Sequence, residues 1–397
     1  MKYKPMAFEI NLRSEGFVFE VGSLYEALCG LEDQRDARGM RYALVTVLVY
    51  VVLAKLAGED HLRGIAQWVR LRADKLADML SLEKAQAPHA TTYSRILGQA
   101  VRIEEFEQVV GEFFAQQRET RRGVALTLDG KTMRGTIPAG ESQGLHLLAA
   151  YVPDEGCVML QVEVEKQENE IPAAGRVLKC LDLRGKVVSG DALLTQRELS
   201  AQIVEAEGDY VWFVKDNQPE LRQDIETLFT AEACVPGFSP SKKELRTAQQ
   251  VGKGHGRIER RILTASSDLL GYLNWPYAQQ VFRLERHFVR VRDGKVMHHV
   301  AYGVTSLTAQ EADPERLLAL TRQHWQIENG LHYRRDVTLR EDRCTLRTGH
   351  AAHAMALINN LVLGLLLRRG VRNVPDARRR FDAHPDRAMA LILGAPA

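Results

Sequence analysis

GVALTLDG (residues 123–130) and GKVVSGDAL (185–193) are two short apolar runs, each delivering an aspartate, Asp129 and Asp191, at its far end. Runs of this length, rich in Val and Leu and bounded by glycine, read as strands buried on both faces. Between them, LHLLAAYV (145–152) and CVMLQVEVE (157–165) form two more strands separated by the turn PDEG, and EIPAAGRVLKCL (170–181) forms a helix. Beyond Asp191 the pattern alternates: TQRELSAQIVEAEG (195–208) is helical, DYVWFVK (209–215) extended and PELRQDIETLF (219–229) helical. Three strands followed by alternating helix and strand predict an α/β layer built on a mixed sheet.

Towards the N-terminus, residues 24–115 read as helices. The run YALVTVLVYVVL (42–53) is the most apolar in the chain. A bilayer needs about 20 apolar residues, and Lys55 ends this run too early, so it reads as a buried helix. Leu62, Ile65, Ala66, Val69 and Leu76 then recur at helical spacing, as do Ile96, Leu97, Val101, Ile103, Phe106, Val110 and Phe113. Towards the C-terminus, RIERRILTA (257–265), QVFRLERHFVRVRDG (280–294) and KVMHHVAYGVTSL (295–307) read as strands with an Asp-Gly turn at 293–294. Helices resume with RLLALTRQHWQIENGLHYRR (316–335) and AHAMALINNLVLGLLL (352–367). The expected organisation is an N-terminal helical domain (1–120), the first part of an α/β core (121–230), an inserted β-rich lobe (231–305), core helices (306–370) and a basic, loosely patterned tail (371–397).

The balance of 53 Lys+Arg against 51 Asp+Glu leaves a formal charge of only +2, so any nucleic-acid surface has to come from local clustering of base. His255, Arg257, Arg260, Arg261, Arg283, Arg286, Arg290 and Arg292 supply such a cluster in the lobe. Five cysteines without a C-x-x-C pair, and with no His spacing that completes a zinc site, read as reduced cytosolic thiols. The N-terminal residues lack the apolar stretch of a signal peptide. The expectation is a cytoplasmic protein without a membrane partner.

Phosphoryl transfer assisted by two metal ions needs several carboxylates around one point, and hard oxygen ligands select Mg²⁺ or Mn²⁺. Asp129 and Asp191 close two strands 62 residues apart, and Glu328 sits in a helix beyond the lobe. His324, Trp325, Leu331 and His332 share the helical face of Glu328, unlike the neighbours of a solvated salt-bridge stripe. A structurally satisfied, half-buried helix is the alternative for this segment. Lys131 and Arg134 follow the first aspartate closely enough to meet a phosphate, or to form a solvated turn. Lys215, Asn217 and Gln218 could contact DNA or cap the next helix. Asp336, Glu341 and Asp342 are read as structural.

The segments LDGKTMRGT (128–136), NEIPAA (169–174), SGDALLTQ (189–196), KDNQPEL (215–221), HGRIE (255–259) and HWQIENGLHYRRDVTLREDRC (324–344) occur in this order. Together they resemble bacterial insertion-sequence transposases of the H-repeat-associated, ISAs type, which are DDE transposases with an RNase H-like core and an inserted β lobe. The stretch from Asp33 to Trp68 is similar to the associated N-terminal domain of that family, and the likeness spans residues 24–368. The resemblance implies that Asp129, Asp191 and Glu328 hold two Mg²⁺ or Mn²⁺ ions. It implies cleavage at the element's ends and transfer of the freed 3′-OH into target DNA, on double-stranded DNA, by a homodimer at the bacterial nucleoid. Related enzymes carry Tyr, Arg, Glu and Lys around the last acid; here Thr321, His324 and Arg335 stand at the Tyr, Arg and Lys places, and His324 and Arg335 are expected to meet phosphate. A hydrolytic nuclease of the same fold and a domesticated DNA-binding protein are the alternatives.

Overall fold

Ala125, Leu126, Thr127 and Leu128 are all buried, so β1 (Val124–Met133) lies inside a sheet and not at its margin. The computed structural model describes residues 20, 22–36, 38, 40–116, 123–230, 243–254 and 256–394; His255 lies outside them. Strand β1 pairs antiparallel with β2 (Leu145–Val152), which pairs with β3 (Cys157–Glu163). On its other side β1 runs parallel to β4 (Lys186–Gly190), which runs parallel to β5 (Asp209–Val214). The expected mixed sheet is present, in the order β3-β2-β1-β4-β5 of an RNase H-like core.

The lobe is not a separate layer. Its strands β6 (Arg246–Gly254), β7 (Arg257–Ser266), β8 (Gln280–Arg290) and β9 (Val296–Thr305) continue the sheet to nine strands, with β9 antiparallel to β5. The inner ends of β8 and β9 are core, with Phe282 and Val304 fully buried, while Val289, Val296 and Val300 further out are exposed. Two details depart from the sequence reading. Strand β1 does not end at Asp129 but continues to Met133 along β2, because Lys131 and Thr132 find cross-strand partners in Leu147 and His146. Strand β6, RTAQQVGKG, is too polar and glycine-rich to show alternation, and it forms because β7 offers it a complete backbone ladder.

Helices cover both faces of the sheet. On one side, α7 (Glu170–Cys180) is capped by Asn169, whose side chain accepts from the Ile171 amide. Beside it are α8 (Arg197–Glu205) and α9 (Pro219–Thr230). On the other side, α10 (Pro314–His324) starts at the Asp313 cap with proline in its first turn, where a missing N–H costs nothing. It packs Leu317, Leu318 and Leu320 against Ala125, Val187, Phe213 and Phe282.

The N-terminal helices are α1 (Leu24–Cys29), α2 (Leu44–Leu56), α3 (Leu62–Arg70), α4 (Ala73–Met79), α5 (Ala90–Arg95) and α6 (Ile103–Gln116). Val and Ile favour strands, but α2 is buried on every side, and each fully buried Val or Leu contributes roughly 1.5–3 kcal/mol, which outweighs propensity. Helix α11 (Ala351–Arg368) is long and apolar enough to cross a membrane, yet 89% of that window is buried inside the protein, where it packs on β3 and α6.

Residues 374–393, expected as a loose tail, form α12 (Val374–Ala383) and α13 (Pro385–Leu393). Their charge hid a narrow apolar face: Val374, Ala388, Met389, Leu391 and Ile392 are buried. Arg378 of α12 donates to the Lys55 carbonyl at 3.0 Å and pairs with Asp60 at 2.5 Å, and Asp382 accepts from Trp68 Nε1 at 2.8 Å. These contacts fasten the end of the chain to α2 and α3.

A buried polar network joins the helical region to the core. Arg335, fully buried, donates Nε to both carboxylate oxygens of Glu341 (2.8 and 2.9 Å) and Nη1 to Gln161 Oε1 (3.1 Å). Asn359 and Asn360 of α11 donate to Glu341 and Gln161, and the Gln161 amide donates to Glu107 of α6. Breaking one partner of a buried ion pair leaves an uncompensated charge, at a cost of about 3–5 kcal/mol. Arg335→Leu and Glu341→Leu are each expected to destabilise the protein by this amount, and the double variant to recover more than half of it. Denaturant unfolding of the three variants checks this; single-variant losses under about 1 kcal/mol would show that the network does not hold the two regions together.

Candidate active site

Thr127 and Ser189 are register partners on the parallel strands β1 and β4, and their buried hydroxyls lie 3.2 Å apart. Side chains alternate along a strand, so Asp129 and Asp191, each two residues further on, leave the sheet on the same face and side by side. Asp191 caps a 3₁₀ turn (Ala192–Leu194) by accepting from the Leu194 amide at 3.2 Å. Burial, with the negative charges of Glu170 and Asp129, pushes its carboxyl above the usual carboxylate range, against the pull of the Leu194 amide.

Glu170 was not singled out from the sequence, although it lies in the NEIPAA segment. As the first residue of α7 it is held by His146 Nε2 at 2.9 Å, and His146 Nδ1 in turn meets Thr132 Oγ1 at 2.7 Å. Gly130 makes room for this pair: a Cβ there would lie 2.1 Å from Glu170 Oε1 and 2.8 Å from His146 Nε2. The glycine of LDGK therefore serves the approach of a third carboxylate to the two aspartates.

Glu328 opens a π-helical turn, Glu328–His332, beyond the end of α10. One turn further on, buried His332 meets Asp129 Oδ2 with Nε2 at 3.0 Å, while its Nδ1 has no partner. Gly330 lets this segment rest on the sheet, since a Cβ would lie 2.5 Å from the Tyr151 hydroxyl. The structure thus brings the Glu328 segment against Asp129. The Glu328 side chain itself is exposed, and among the described residues no hydrogen bond or ion pair joins it to either aspartate.

The residues expected at DNA divide into three groups. Arg134 and Lys215 are exposed, and Arg134 Nε lies 3.9 Å from Asp342. Lys131 is only 10% exposed and pairs with Asp336 at 2.6 Å; Asn217 and Gln218 donate to the carbonyls of Ala192 and Thr195 at 2.6 and 2.9 Å, bracing the turn after Asp191. His324 and Arg335 need correction, because neither is at the surface. Arg335 is the buried partner of Glu341, and His324 is enclosed by Phe213 and Trp325, with ring centroids at 5.4 and 5.2 Å.

The lobe's basic residues also fall on two faces. Arg257, Arg261 and Arg286, with Lys253, Arg322 and Arg334, line a groove of about 1010 Å³ between the lobe and the segment carrying Glu328. Arg260 and Arg283 sit on the opposite face, one residue out of phase.

Burial pushes His324 down to about 4, helped by Lys215 and opposed by Asp129. Its folded pKa lies below the unfolded value of about 6.5, so its contribution to stability is complete above pH 6.5 and is lost as pH falls through about 4. Wild type is expected to lose on the order of 3 kcal/mol more than His324→Asn over that interval in pH-dependent unfolding. His324→Arg is expected to be less stable than His324→Ala. Parallel pH profiles for wild type and His324→Asn would exclude a buried neutral imidazole.

Residues 121–365 match the family described as transposase DDE domain, and residues 25–114 the family described as DDE_Tnp_1-associated. The chain is 26% identical over 350 residues to "Putative transposase YncI" of Escherichia coli O157:H7, covering 87% of each. It is 24% identical over 356 residues to "H repeat-associated putative transposase YhhI" of Escherichia coli K12, covering 87% of this chain and 91% of that protein. Among solved structures it is similar to the piggyBac transposase in a cryo-EM synaptic complex with hairpin DNA, at 13% identity and a TM-score of 0.40, over 95% of this chain and 79% of that one. With one family match spanning more than half its length and the associated domain in front of it, this chain belongs to the family described as transposase DDE domain.

Proposed function

We propose that this transposase cuts double-stranded DNA at the ends of an insertion element and joins the freed 3′-OH to target DNA, with Asp129, Asp191 and Glu328 as its catalytic carboxylates. The observation that carries this reading is the emergence of Asp129 and Asp191 side by side from adjacent parallel strands, with the Glu328 segment fastened to Asp129 through His332. The donor set fits hard divalent cations. It offers carboxylate oxygens, and Asp191, raised by burial and then by the charges of Glu170 and Asp129, is a group whose ionised form a cation would favour. Two Mg²⁺ or Mn²⁺ ions held by Asp129, Asp191 and Glu328 would supply charge for the attacking and leaving oxygens of an in-line displacement.

The remaining work falls to the chain's own groups. His332 fixes the orientation of Asp129, and the Leu194 amide fixes that of Asp191. Glu170, held by His146, adds negative charge at the same point. The groove lined by Arg257, Arg322 and Arg334 lies along the Glu328 segment and suits a duplex backbone, while exposed Arg134 and Lys215, which directly follow β1 and β5, are the cations offered to the phosphates nearest the cut. Joining two element ends requires two such sites, which supports a homodimer on DNA.

Asp129→Ala, Asp191→Ala and Glu328→Ala are each expected to lower cleavage and joining of end DNA by at least about a hundredfold with unfolding midpoints close to wild type. A folded variant of any of the three that retains cleavage would falsify the assignment of that residue. For DNA binding, Arg257→Ala with Arg334→Ala is expected to weaken affinity and reduce the salt slope by about 2, close to one unit per phosphate contact. Arg260→Ala, on the opposite face, is expected to leave the slope unchanged. Equal slopes for all three proteins would remove the groove from the DNA path.

A further inference from the structure

The lobe face turned away from the groove carries a second cluster. Glu285 and His287 alternate along β8 and share that face, and His298 lies directly across from His287 on β9. The two imidazoles stack with centroids 4.3 Å apart and planes 17° from parallel. Nε2 of His298 is 3.3 Å from Glu285 Oε2, and Nε2 of His287 is 3.8 Å from the same atom. All three ligand atoms lie within 4.8 Å of one another, and among the described residues this is the trio of acid, imidazole or thiol groups that meets that spacing.

These separations are longer than the 2.7–3.2 Å of N–H···O hydrogen bonds. The 3.3 Å between His298 Nε2 and Glu285 Oε2 matches ligands at 2.0–2.1 Å around a tetrahedral centre, which stand roughly 3.3 Å apart; rotating the half-exposed His287 ring out of the stack turns its Nε2, 3.8 Å from the same oxygen, onto that centre. The carboxylate is already oriented for the task. Arg283 Nη2 holds Glu285 Oε1 at 2.7 Å, which leaves Oε2 aimed at the imidazoles. Arg283 is itself anchored, donating Nη1 to the Phe229 carbonyl at 3.1 Å. Such outer partners fix a ligating group in place. Access is open, since the side chains of His287 and His298 are 39% and 46% exposed.

We propose that Glu285, His287 and His298 form a binding site for a Zn²⁺-class transition ion that clasps β8 to β9 where the hairpin leaves the core. Two imidazoles and one carboxylate suit Zn²⁺, Co²⁺ or Ni²⁺ and disfavour the Mg²⁺ that suits an all-carboxylate set. Three protein ligands leave a fourth position to water or an exogenous anion. The site lies on the opposite face of the sheet from the groove and does not rest on the transposase reading.

The test uses the full chain, stripped with a chelator and titrated with Zn²⁺ by calorimetry and with Co²⁺ by absorption. Wild type is expected to bind one more equivalent than His287→Ala/His298→Ala. The Co²⁺ difference spectrum is expected to show tetrahedral d–d bands without thiolate charge transfer. Glu285→Gln, which keeps the size of the side chain, is expected to weaken Zn²⁺ by about tenfold or more, and excess Mg²⁺ not to compete. Zn²⁺ is expected to raise the melting temperature of wild type and not of the double variant. Equal stoichiometry in wild type and the double variant overturns the proposal, as does a difference spectrum dominated by thiolate charge transfer.

Discussion

A guanidinium cannot shed its charge inside a protein, so burying one obliges the surroundings to build around it. Arg335 is such a group, with no exposed surface. Glu341 neutralises it, Gln161 accepts from its Nη1, and Asn359 and Asn360 donate to Glu341 and Gln161 in turn. Glu341 is held below the usual carboxylate range by Arg335 despite its complete burial. The partners come from β3, from α11 and from the segment beyond Glu328, and Glu107 of α6 joins through the Gln161 amide. One charge thereby sets the position of the last acid's segment relative to the sheet and to the N-terminal helices. The same cation that the family pattern placed at DNA serves here as an internal strut.

The acids proposed for the site depend on two kinds of local geometry. Asp129 and Asp191 are fixed by strand register, which the Thr127–Ser189 contact pins from within. Glu328 opens the first of two π-helical turns in succession, Glu328–His332 and Arg334–Thr338. Each such turn inserts a residue into the helical repeat and rotates the next stretch of chain about the helix axis. That rotation lets His332 face Asp129 and Arg335 face Glu341.

The strands that carry the two aspartates were legible in the sequence because they are buried on both faces, so small and apolar residues fill VALTL and VVSG up to each aspartate. The helices α2 and α11 were legible for the same reason. The fates of His324 and Arg335 were not. A helix places residues on a face, but whether that face meets solvent or a sheet is decided by Phe213, Gln161 and Glu341, which the local pattern around these two residues does not reveal. Helices α12 and α13 were hidden because five arginines between residues 372 and 387 mask a thin apolar stripe. Glu170 was quoted only as part of a motif, since nothing in its neighbours announces that Gly130 leaves room for it. The His287–His298 pair offers no regular spacing along the chain, because its ligands meet through strand register alone.

The continuity of the nine-stranded sheet has a mechanical meaning. Strand β9 ends beside β5 and carries β8 on its other side; the other neighbour of β5 is β4, the strand that leads into Asp191. A force applied to the outer hairpin travels along these hydrogen-bonded ladders, as through a cantilever whose root lies two strands from an aspartate. A lobe built this way bends and twists as a beam, and the load of a held duplex reaches the interior strands that carry the aspartates.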